Sequence, residues 1–133
     1  MSALLLLYNK HMQFTLDNGD AAFQIKAYEN GLIRVNEQTY NCPILVMPTH
    51  LIAPWGPHSL KELSSTHFEM ILPYKPKLVI LGTGKQHRFL PASLYTALIN
   101  NNIGVEIMDT KAACRTYTVL MAEGREVAAG LFC

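Results

Sequence analysis

A chain of 133 residues with 11 Lys and Arg against 10 Asp and Glu, net charge +1 at pH 7, is sized for a single domain over residues 1–133. It has no charge excess with which to hold nucleic acid or an anionic membrane. Half of its residues are hydrophobic, enough for a core that needs no disulfide or metal staple, and the scattered Cys42, Cys114 and Cys133, with no C-x-x-C pair, fit a reducing compartment and offer no zinc framework.

In chain order, the run Leu4, Leu5, Leu6 and Leu7 has no basic residue before it and meets Tyr8, Asn9 and Lys10 at once. That is far short of a signal-peptide core or a membrane span, so the run reads as an edge strand or a helix turn packed on the domain. With no transit peptide or lipidation motif, the expected location is the cytoplasm, with no membrane insertion.

Phe23, Ile25 and Ala27 alternate with Gln24, Lys26 and Tyr28, Asn30-Gly31 supplies a tight turn, and Leu32-Ile33-Arg34-Val35 returns, which predicts a hairpin. Residues 44–47 are continuously apolar and end at Pro48, as suits a strand covered on both faces. Residues 49–57, with Pro54, Trp55, Gly56 and Pro57, read as a loop or irregular edge. Ser64, Ser65 or Thr66 then caps a short helix to about residue 72, with Phe68, Ile71 and Leu72 as its apolar stripe and Pro73 as its stop.

The second half alternates. Residues 78–81 form a short buried strand, Pro91 opens a helix running through Leu98 and Ile99, and Gly104 starts the strand 105–108. This β-α-β unit should be right-handed, with parallel strands. Asp109 or Thr110 caps a helix whose inward positions are Ala113, Tyr117, Leu120 and Met121, ended by Gly124 in the left-handed region. Residues 127–132 form a final strand after so short a connection that an antiparallel course is open, though local sequence does not decide it.

The segment 108–117, Met-Asp-Thr-Lys-Ala-Ala-Cys-Arg-Thr-Tyr, followed by Glu-Gly-Arg-Glu-Val-Ala-Ala at 123–129, resembles the Mth-domain family of uncharacterised proteins, which includes mitochondrial complex I assembly factor three and an adipogenesis-associated protein. Gly82-Thr83-Gly84 with Arg88-Phe89, the segment 28–36 around Asn30-Gly31, and Trp55 are similar too, so the likeness covers residues 23–132. The resemblance implies a three-layer α/β fold: a mixed central sheet with parallel strands and an antiparallel last strand, beside an N-terminal β-hairpin region. It also implies an interaction or assembly role more readily than catalysis. The presequence of the mitochondrial members is not seen, which again directs the expectation to the cytoplasm.

Two sets of residues are candidates for a site. Gly82, Thr83 and Gly84 follow a buried strand, where glycine amides can approach an anion, and Lys85, His87 and Arg88 follow closely. Neither the P-loop spacing nor the third glycine of a dinucleotide fingerprint is present, and a plain tight turn out of the strand is the first reading of the glycines. Asp109 and Thr110 would face this turn across the carboxyl edge of the sheet, where open α/β sheets bind ligands, although Asp109 is first a helix cap. Cys114 beside Arg115 is either a small buried residue or a thiol of lowered pKa.

Trp55 is either a plug over the core or an exposed anchor for a partner, with Tyr74 and Arg115 as further anchors. The five histidines show no metal-ligand spacing, and no catalytic constellation is legible, so no metal, cofactor or catalytic residue is expected. Two functions follow. The first, which the family resemblance implies, is a non-enzymatic interaction or assembly protein whose partner would belong to a membrane respiratory complex. The second is a small-molecule or anion-binding protein, in one version an enzyme, using Gly82, Thr83, Gly84, Arg88, Asp109 and Thr110. The oligomeric state is not legible.

Overall fold

Asn30 and Gly31 both take positive φ, 53° and 75°. This is the backbone of a tight turn whose twist suits a hairpin, and it joins β2 (Ile25–Glu29) to β3 (Leu32–Val35) as the sequence predicts. A further strand, β4 (Gln38–Asn41), pairs antiparallel with β3 and extends the hairpin to a three-stranded sheet in the order β2-β3-β4. The computed structural model describes residues 14–17 and 22–133; the leucine run of residues 4–7 lies outside them.

The larger sheet has six strands in the order β1-β6-β5-β9-β7-β8, formed by β1 (Phe14–Asp17), β5 (Ile44–Val46), β6 (His50–Ala53), β7 (Leu78–Thr83), β8 (Gly104–Met108) and β9 (Val127–Phe132). Strand β5 is buried on both faces: Leu45 joins one core, Ile44 and Val46 the other. The strand β6 corrects the expectation of a loop over residues 49–57. Met47 N–H donates to the His50 carbonyl at 2.8 Å, closing a turn around Pro48-Thr49, and Leu51, Ile52 and Ala53 return buried beside β5. The prolines that suggest a loop stand beyond the strand's end, where no ladder donor is lost.

Strand β7 lies between two parallel neighbours, β8 and β9. The antiparallel course expected of the last strand therefore holds against β5 and not against β7. The reason is geometric. Between β8 and β9 runs α3 (Thr110–Ala122), whose 13 residues span about 20 Å at 1.5 Å per residue, the length of a six-residue strand. The helix carries the chain back to the amino edge, so β9 starts where β7 starts, and the short connection after the helix is no sign of reversal.

On one face of the central sheet lie α1 (Ser65–Glu69) and α2 (Thr96–Asn100), with three 3₁₀ turns, packing Trp55, Leu63, Phe68, Ile71 and Leu98 onto Leu45, Val79, Leu81, Ala128 and Phe132. On the other lie α3 and the small sheet, whose Ile25, Ile33, Val35, Ala113 and Tyr117 pack on Ile44, Val46, Ile80, Ala129 and Leu131. These are the three layers expected. The helices of the first face are shorter than predicted. Pro73 sits inside a 3₁₀ turn, Leu72–Tyr74, and the helix expected from Pro91 is split because Tyr95, at φ −119° and ψ 25° with its ring 6.0 Å from that of Phe68, leaves the helical region between Ala92–Leu94 and α2. Among the described residues no helix is long and apolar enough to cross a membrane.

Candidate functional site: the carboxyl edge of the central sheet

Strands β7, β8 and β9 end together, and Thr110 ties their ends to the start of α3. Its hydroxyl, fully buried, accepts from Gly84 N–H at 2.8 Å and donates to the carbonyl of Phe132, while its own N–H donates to the Gly84 carbonyl at 2.9 Å. Gly82 lets the helix come this close: a Cβ there would lie 2.8 Å from Thr110 Oγ1 and 2.9 Å from its Cα. Gly84, at φ +107°, makes the turn that a side-chain-bearing residue would strain.

Thr83 closes the loop that follows. Its hydroxyl donates to the Gln86 carbonyl at 2.6 Å, with the Met108 carbonyl at 3.3 Å, and accepts from Arg88 N–H at 3.1 Å. Asp109 caps α3, Oδ1 accepting from Ala112 N–H at 2.9 Å. Arg88 points out with Phe89, which is 85% exposed.

The structure thus brings Gly82, Thr83, Gly84, Asp109 and Thr110 together, but as a hydrogen-bonded knot. The Gly84 amide, the donor that an anion would need, is taken by Thr110, and Thr83 and Thr110 are buried. The nearby hollow of about 280 Å³ is lined by Thr83, Cys42, His58, Phe132 and Cys133 and by none of Gly84, Arg88, Asp109 and Thr110.

Trp55, offered as a partner anchor, is fully buried: its ring stands 6.2 Å from Phe68 and 5.7 Å from Phe132, and the plug reading is the correct one. Tyr74 is half-buried at the opposite, amino edge of the sheet, its ring 4.9 Å from His50, in a groove of about 620 Å³ with Met47, Met121 and Arg125. Arg115 is exposed on α3, on the other face of the sheet from Trp55. The three do not form one surface.

Cys114 is buried, and burial pushes its thiol up to about 12, so it is an inert core residue. Sequence reasoning missed the other two cysteines. Cys42 and Cys133, 91 residues apart, are joined by a disulfide with a Cα–Cα separation of 5.6 Å. Only the fold brings these two cysteines together. Among the described residues no cluster of three His, Cys, Asp or Glu could hold a metal ion.

A second groove, of about 450 Å³, runs between β2 and α3 and was not legible in the sequence. Its walls are Ile25, Lys26, Ala27 and Tyr28 on one side and a stripe of α3 from Lys111 to Val119 on the other. Burial raises the Tyr28 phenol, with Cys114 and Asp109 adding to the effect.

Residues 25–132 match the family described as protein of unknown function (DUF498/DUF598). The chain belongs to this family. It is 25% identical to the 13 kDa major membrane protein of Francisella tularensis over 103 residues, 77% of this chain and 84% of that protein. It is 28% identical to the human NADH dehydrogenase (ubiquinone) 1 alpha subcomplex assembly factor 3 over 112 residues, 83% of this chain but 60% of the factor. Among solved structures, a Bordetella parapertussis protein superposes with TM-score 0.79 at 32% identity, covering 84% of this chain and 96% of that one. A Bordetella pertussis protein described as a Mth938-like domain gives TM-score 0.73 at 26% identity, covering 87% and 89%.

Proposed function

We propose that the protein is a non-enzymatic interaction factor, akin in role to the complex I assembly factors it is similar to, and that its partner belongs to a membrane respiratory complex. The observation that carries this is the Thr110 knot: the edge where an α/β sheet would hold a substrate is filled by the chain's own hydrogen bonds. Relatives named as NADH dehydrogenase assembly factors, at 27–31% identity, supply the kind of partner. Tyr74 and Arg115 remain in the proposal as contact residues; Trp55 does not.

Deleting the gene in its own organism should reduce fully assembled respiratory NADH dehydrogenase on native gels, with partial assemblies accumulating, and the wild-type gene should restore it. Unchanged assembly in the deletion strain sinks the proposal. The cytoplasmic location belongs to the same proposal, and the Cys42–Cys133 pair tests it, because cystines persist in oxidising compartments. A reducing cytoplasm should hold open the bond that this pair can form, so cells alkylated before lysis should yield both thiols reduced; a persistent cystine moves the protein to an oxidising compartment.

A further inference from the structure

Residues 25–28 line this groove, and β2 is an outer strand of its sheet, paired only with β3 and bulged between Ile25 and Ala27, so its free backbone edge runs along the groove. Among the described residues no main-chain hydrogen bond outside the β2–β3 ladder involves residues 25–28. The facing wall is a helical stripe, Lys111, Cys114, Arg115, Thr118 and Val119 at i, i+3, i+4, i+7 and i+8.

The lining chemistry is equally particular. Ile25, Ala27, Cys114 and the 55%-exposed Val119 give an apolar lining, and Lys26, Lys111 and Arg115 stand exposed around it. Among the described residues the one ion pair is Arg34–Glu37, so none of these three cations has a carboxylate within 4.0 Å; Lys26 Nζ donates to Gln24 Oε1 at 2.7 Å. The nearest acids by position do not line the groove: Asp109 caps α3, and Glu29 ends β2.

We infer that this groove receives an extended, acidic segment of a partner protein, which adds to the small sheet as a fourth strand along β2 and sets its carboxylates against Lys26, Lys111 and Arg115. The open ladder supplies the main-chain bonds, the apolar lining takes alternate side chains, and the three cations choose the charge. A second copy of this chain is the wrong occupant, because pairing two β2 edges would bring together two sets of the same three cations. This deepens the proposed function and rests on it.

The test uses the full chain and a blocked octapeptide alternating glutamate and valine as probe, against one alternating lysine and valine and a glutamate peptide N-methylated on its valines. On titration to about 1 mM, a range that detects weak binding, amide shifts should be confined to residues 25–28 and 111–119. Main-chain amides of β2 should exchange more slowly in the complex. Lys111→Glu with Arg115→Glu, both at exposed positions, should weaken binding about tenfold or more without moving the melting temperature, and N-methylation should abolish it. No shift in the groove, equal binding of the lysine peptide, or wild-type affinity in the double variant overturns the inference. The same double variant, returned to the deletion strain, separates the two readings. If it restores assembly fully, the groove inference fails and the assembly role stands; if the deletion has no phenotype, the assembly role fails first.

Discussion

A Cβ on Gly130 would meet the Trp55 ring at 2.5 Å from Cζ3 and 2.7 Å from Cη2, so the glycine in the middle of β9 is there to seat the indole. Gly130→Ala should therefore destabilise the fold by about 1 to 3 kcal/mol through overpacking, and Trp55→Ala by about 3 to 5 kcal/mol through the cavity it leaves. Urea unfolding measures both, and a Trp55→Ala protein as stable as wild type would return the residue to the surface. A proline-flanked Trp gave no local sign of this, because what buries it is a glycine 75 positions on. The same pocket holds a titratable group. His67 Nδ1 accepts from Ser64 N–H at 3.0 Å at the start of α1, its ring 6.2 Å from Trp55, and burial lowers its pKa from 6.5 against the opposing pull of Glu62. Below pH 6.5 the unfolded chain binds this proton more readily than the folded one, so this contribution to stability is present above pH 6.5 and is lost as pH falls through the lower, folded value. The melting temperature of wild type should drop more between pH 7 and pH 5 than that of His67→Gln; parallel curves would remove the histidine from the account.

At the scale of elements, what was legible is what is settled locally. Asn30-Gly31 fixes its hairpin by its own φ angles, and Asp109 and Gly124, at φ +81°, bound α3 as read. The β6 strand was hidden by prolines lying just past it, α2 was overdrawn because Tyr95 turns toward Phe68, and the β2–α3 groove arises from two segments separated by more than 80 positions. Gly82, Thr83, Gly84, Asp109 and Thr110, read as one set from the sequence, meet at the carboxyl edge, where hydrogen bonds through Thr110 join the strand ends to α3. Thr110→Val keeps the shape but leaves Gly84 N–H and the Phe132 carbonyl buried without their partner, each costing about 1 to 3 kcal/mol. Asp109→Ala removes only a half-buried cap, worth about 1 kcal/mol. Thr110→Val should accordingly be the more damaging of the two, with Thr110→Ser near wild type; the reverse order in denaturant titrations would mean that the knot does not hold the edge.

For the whole molecule, the Cys42–Cys133 bond joins the start of β5 to the end of β9, strands that already pair antiparallel from Ile44↔Leu131 to Val46↔Ala129. The bond therefore adds little to the order of the folded state, and its effect falls on the unfolded one. Closing a loop between residues 91 apart removes chain entropy worth about 4 to 5 kcal/mol in the loop-closure account. That is a large part of the stability of a domain this size, typically about 5 to 15 kcal/mol. Cys133 is exposed and Cys42 partly so, hence a reductant can reach the bond without unfolding the chain. Oxidised protein in denaturant without reductant should show one reactive thiol, that of the buried Cys114, and reduced protein three. Reduction should lower the urea midpoint strongly, and Cys42→Ser with Cys133→Ser should reproduce the reduced midpoint with or without reductant. If oxidised and reduced wild type unfold together while the thiol count still changes, the unfolded chain is already held near the native pairing of β5 and β9, and the stability of the fold resides in its two cores alone.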